Sequence, residues 1–70
     1  MDMKRLSSGN LRAAGYDERN RVLHVEFSNG QVMEYRGVSA EVARRLLSSS
    51  AAASFFRDNI EDEFSGKRVR

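Results

Sequence analysis

The clearest pattern in the chain is a period of two between Arg21 and Phe27, where Leu23, Val25 and Phe27 alternate with Val22, His24 and Glu26. Alternation of this kind predicts a half-buried strand, because successive side chains of an extended backbone point to opposite faces. Ser28-Asn29-Gly30 follows, and Gln31 to Arg36 returns as a second strand with Val32, Met33 and Tyr35. Loop length then decides the register of this hairpin. A two-residue loop at Asn29-Gly30 would set Val25 against Glu34 and Leu23 against Arg36. A three-residue loop closed by a bulge at Gly30 sets Phe27 against Gln31, Val25 against Met33 and Leu23 against Tyr35. Only the second makes one face apolar, so it is the predicted one, with positive φ at Gly30. The other face then holds His24 opposite Glu34 and Val22 opposite Arg36.

Before the hairpin, Leu11 to Tyr16 reads as a further strand, ended by the polar turn cluster Asp17-Glu18-Arg19-Asn20. After it, Gly37-Val38-Ser39 closes the sheet, and Ser39 is a suitable N-cap for a helix over 40–47. Val42 and Leu46, with Ala43 and Leu47, form the stripe that should meet the sheet, while Glu41, Arg44 and Arg45 stay in solvent. The run of Ser and Ala from 48 to 54 fits a loop or an extension of either flanking helix. Phe56, Ile60 and Phe64 recur every four residues and predict a second helix over 54–64, capped by Ser54 and stopped near Gly66. The predicted fold is α+β, a three-stranded antiparallel β-meander followed by two helices packed on one sheet face. Its predicted core is Leu23, Val25, Phe27, Tyr35, Leu46, Phe56 and Ile60.

Composition narrows the function classes. Seventy residues, 40% of them hydrophobic and 31% charged, make one domain over 1–70, with flexible ends expected at 1–6 and 66–70. There is no Cys and one His, so neither a disulfide framework, a thiol nucleophile nor a His-rich zinc site is available. No stretch approaches the ~20 apolar residues of a membrane span, and the basic start has no apolar run behind it, so a cytoplasmic protein is expected. A net charge of +2 is ordinary, but its distribution is not. Asp58, Glu61, Asp62 and Glu63 make the second helix acidic, and Lys67, Arg68 and Arg70 make the end basic.

The order Gly15-Tyr16-Asp17, Leu23-x-Val25-x-Phe27, Asn29-Gly30, Tyr35, Val38, Phe55-Phe56, Ile60 and Phe64 resembles the KTSC domain family over Leu6 to Val69. That family is a short bacterial module, found alone and at the C-terminus of some lysyl-tRNA synthetases. Its function is not established, and RNA binding is the role that context suggests. The chain departs from the family pattern at two places. The central Tyr-x-Tyr reads Met33-Glu34-Tyr35, and Ala51-Ala52-Ala53 replaces the Ser-x-Gly before the aromatic pair.

Read from the residues, the outer sheet face should carry Tyr16 with Arg12, His24, Glu34 and Arg36, the nearest approach in this chain to an aromatic and basic nucleic-acid surface. Lys67, Arg68 and Arg70, with Lys4 and Arg5 if the ends lie close, are further candidates for phosphate contact. The expected RNA site is therefore Arg12, Tyr16, Arg36, Lys67, Arg68 and Arg70. Tyr35 falls beside Leu23 under the helices, a core position rather than a stacking platform. His24 has no nucleophile or orienting acid at a defined spacing and reads as a cross-strand partner of Glu34, so no enzyme is expected. Asp58, Glu61 and Asp62 read as a solvated helix face rather than a cation site. No metal, cofactor, small-molecule substrate or membrane contact is indicated. The competing reading is a protein-interaction or structural module, in which a partner docks on Phe55 or on a sheet edge.

Overall fold

The computed structural model describes residues 3–70. Its sheet has five antiparallel strands in the order β1-β2-β3-β4-β5: β1 Lys4–Ser8, β2 Leu11–Asp17, β3 Val22–Phe27, β4 Val32–Arg36 and β5 Gly66–Arg68. Helix α1 (Ala40–Ser48) and helix α2 (Ala52–Phe56), which continues into a π-helical turn at Arg57–Glu61, lie between β4 and β5 in the chain. The expected α+β meander with two helices is present. It gains one strand at each edge, β1 and β5, which overlap the ends 1–6 and 66–70 expected to be flexible; residues 1 and 2 of that expectation lie outside the described residues.

The central hairpin pairs as its loop predicts, with Leu23 opposite Tyr35, His24 opposite Glu34 and Val25 opposite Met33. Gly30 has φ +89°, a left-handed conformation that a residue without Cβ adopts at little cost, and its N–H donates to the Phe27 carbonyl at 2.9 Å. The edge strands were not legible because their sequences, Lys-Arg-Leu-Ser-Ser and Gly-Lys-Arg, contain one apolar residue between them. Each is extended because the neighbouring strand offers it a row of backbone partners.

Ser39 caps α1 as expected, its Oγ accepting from the Val42 N–H at 3.3 Å. The second helix differs from the prediction. It starts at Ala52, ahead of Ser54, and has no side-chain cap of its own. Ser8 of β1 supplies one across the fold, with Oγ accepting from the Ala53 N–H at 3.0 Å. The helix then widens instead of running regularly to Phe64. Asn59 Nδ2 donates to the Phe55 carbonyl at 3.1 Å, the acceptor an α-helical Asn59 N–H would use, and such side-chain competition distorts a helix locally. Gly66, predicted to stop the helix, begins β5 instead.

Both helices cover one sheet face. Leu23, Val25, Leu46 and Ile60 are fully buried and Tyr35 and Phe56 nearly so, whereas Phe27 is only half-buried at the end of the sheet. Leu6, Leu11, Ala14, Val38, Ala43 and Ala52 complete the core cluster. Phe55 and Phe64 pack against it, each half-buried. Among the described residues no helix is long and apolar enough to cross a membrane.

Candidate binding surface on the open sheet face

Which residues share the uncovered face follows from strand register, since directly opposed residues in an antiparallel pair point the same way. In β3 and β4 these are Val22, His24, Glu26, Val32, Glu34 and Arg36. Lys67 of β5 pairs with Glu34 and joins them. On β2, Ala13 pairs with Glu26 and Gly15 with His24, so the middle of the face is lined with small residues.

Two carboxylates organise the charge. Glu34 Oε1 accepts from Arg36 Nε at 2.9 Å, and its Oε2 lies 3.2 Å from His24 Nε2. Glu26 Oε2 lies 3.3 Å from a guanidinium nitrogen of Arg12 and 3.8 Å from one of Arg70. Beside them Met3 and Val69, the two exposed large hydrophobic residues among those described, flank Val32 in a shallow hollow of about 310 Å³ bordered by His24, Glu26 and Arg70.

The expected site is thus brought together in part. Arg12, Arg36, Lys67 and Arg70 meet on the open face. Tyr16 does not, and this corrects the sequence reading. Strict alternation along β2 would place Arg12 and Tyr16 on one side, but the register shifts between Leu11 and Ala13. A bulge of this kind inserts an extra residue and reverses which side the following residues face. Arg12 reaches Glu26 on the open face, while Tyr16 pairs with Leu23 on the helix side and its hydroxyl donates to the Val38 carbonyl. Arg68 sits opposite Met33, also a helix-side position. Met3, Val32 and Val69 were missed, for they lie just before β1, in β4 and just after β5 and acquire meaning only side by side. Asp58, Glu61 and Asp62 are exposed, and no group of three His, Cys, Asp or Glu side chains able to hold a metal occurs among the described residues.

Hydrogen bonding from Arg36, then from His24, holds the Glu34 carboxyl below its ordinary value of 4.5. A lowered folded-state pKa contributes stability that is present above the ordinary value and lost as pH falls through the folded one. Glu34→Gln should therefore flatten the acid limb of stability. Urea midpoints measured from about pH 6 down to about pH 3 should fall less for Glu34→Gln than for the parent chain, and parallel curves would show that the pairing contributes nothing.

Comparison with known proteins adds three findings. The KTSC domain family model matches residues 7–64. An uncharacterized protein of Stutzerimonas stutzeri (strain A1501) is 41% identical over 56 residues, spanning 77% of this chain and 79% of that protein. The crystal structure of a KTSC domain protein from Yersinia pestis superposes with a TM-score of 0.92 at 25% identity, covering 99% of this chain and 97% of the other.

Proposed function

The chain belongs to the KTSC domain family, and from that premise we propose that it is a non-catalytic binding module whose open sheet face docks a protein partner. The observation that carries this reading is the distribution of rings. All six aromatic side chains, four Phe and two Tyr, lie in the core cluster or against it on the helix side. The open face has no Phe or Tyr to stack a base on; its one ring, His24, is engaged with Glu34, and stacking on sheet aromatics is what single-stranded RNA recognition by such faces uses. Three of its arginines are also engaged, since Arg12, Arg36 and Arg70 each lie within ion-pair distance of a carboxylate, whereas Arg5, opposite Ala13 on the same face, forms no ion pair among the described residues. A phosphate chain would have to compete with Glu26 and Glu34 for those three. Apolar side chains beside a mosaic of both charge signs suit a protein surface of complementary pattern.

Photocrosslinking tests the assignment. A photoreactive residue in place of Val69, activated in a cell lysate, should give adducts that resist ribonuclease and disappear when Met3→Glu is introduced. Adducts removed by ribonuclease would give the face to RNA. In that case, salt-dependent shifts of the His24, Arg36 and Lys67 signals on titration with short RNA would follow. No adduct at all would overturn docking on this face.

A further inference from the structure

The helix side carries a second feature, independent of the open face. A cleft of about 480 Å³ separates the hairpin tip from the π-helical turn. Its apolar wall comes from Phe27, Met33 and Tyr35 of the sheet and Phe56 of α2. The Phe56 ring meets Phe27 edge-on at 5.8 Å and Tyr35 at 5.4 Å, so the wall is packed from behind.

Within this cleft one polar group is unaccounted for by the fold. Tyr35 is only 4% exposed, yet its hydroxyl has no hydrogen-bond partner among the described residues. No side-chain polar atom of the described residues is both sealed from solvent and unpartnered, so the hydroxyl keeps an opening, and Tyr35 lines this cleft. Tyr16 shows the contrast, with its hydroxyl satisfied by Val38. Burial, and then the charge of Glu61, push the Tyr35 phenol above its ordinary value.

The rim supplies charge of both signs. Arg57 and Glu61 are the first and last residues of the π-helical turn, and both border the cleft. They do not pair with each other; the carboxylate nearest Arg57 is that of Asp58, at 3.8 Å. Single π-helical turns recur at functional sites because they re-aim side chains without breaking the helix.

We propose that this cleft binds a small zwitterion with an apolar side chain, a free amino acid or a dipeptide of such residues. The apolar side chain lies against Phe27, Met33 and Phe56. The ammonium faces Glu61, the carboxylate faces Arg57, and the Tyr35 hydroxyl donates to a ligand oxygen. The volume is in the range of ordinary small-molecule sites.

The test uses the whole isotope-labelled chain, titrated with L-leucine, L-phenylalanine and leucyl-leucine, and with N-acetyl-L-phenylalanine and L-phenylalaninamide, which each lack one charge. Saturable shifts are expected at Gln31, Ala53, Phe56 and Glu61, away from the open face. Tyr35→Phe keeps the ring packing and should weaken binding about fivefold or more, the value of one hydrogen bond. Both blocked analogues should bind more weakly than L-phenylalanine, and Glu61→Gln should erase the difference for the N-acetylated one. Tighter binding of leucyl-leucine than of L-leucine would assign the site to peptides, and the reverse to free amino acids. Absence of saturable shifts with every compound up to about 10 mM, or equal binding by Tyr35→Phe in a chain that melts normally, would overturn the proposal.

Discussion

Phe56→Ala is expected to lower the unfolding free energy by about 3–5 kcal/mol, the usual cost of deleting a buried aromatic ring. Phe56 is 5% exposed and joins α2 to the sheet through edge-on contacts with Phe27 and Tyr35. Its helix is five residues long and its side-chain cap comes from Ser8 of β1 rather than from its own sequence, so its place depends on tertiary contacts, of which the Phe56 ring is the largest. A domain of this size has a total stability of about 5 kcal/mol or somewhat more, and the variant should be largely unfolded near its former melting temperature. Phe56→Leu retains most of the apolar volume and should lose only about 1–2 kcal/mol. Urea titration of both variants checks the pair, and a Phe56→Ala midpoint close to that of the parent would show that α2 is held by other contacts.

Gly66→Ala should cost about 1–3 kcal/mol by overpacking, with the damage confined to one edge. A Cβ at this position would lie 2.5 Å from Tyr35 Cε1, 3.0 Å from Cζ and 3.2 Å from Met33 Cε. The ring cannot retreat, because Tyr35 is buried against Phe56. The backbone of β5 must lift instead. That would loosen the bonds that follow, the Val69 N–H to the Val32 carbonyl at 2.9 Å and the Val32 N–H to the Arg70 carbonyl at 3.0 Å. Hydrogen exchange at Val32 and Val69 should accelerate while that of Leu23 and Val25 changes far less. Unaltered exchange at the edge would mean that ring and strand adjust together without strain. Since β5 also brings Lys67, Val69 and Arg70 to the open face, the same variant should weaken crosslinking there.

The hairpin and α1 were legible because their determinants are local. A three-residue loop with Gly at its left-handed position sets the register of β3 on β4, and alternation then assigns the residues of both strands to a face. Ser39 and the Val42, Ala43, Leu46, Leu47 stripe specify α1 within ten residues. The family was legible too, from the order and spacing of residues in β2, the hairpin and the segment from Phe55 to Phe64.

What only the tertiary structure decided lies where a residue answers to a distant neighbour. β1 and β5 carry almost no apolar signal, and they are strands because β2 and β4 leave backbone groups to be paired. Ala52 begins α2, although a serine two residues later is the better intrinsic cap, because Ser8 reaches the Ala53 N–H from a position 45 residues away. The side of the sheet taken by Tyr16 depends on one extra residue at the β2 bulge. From the sequence alone Arg12 and Tyr16 share a face; in the folded chain the bulge sends them to opposite faces. Local propensity and periodicity determine which residues form an element and which of its sides is apolar. Pairing with partners far along the chain decides where that element starts, how it is offset and which surface it finally presents.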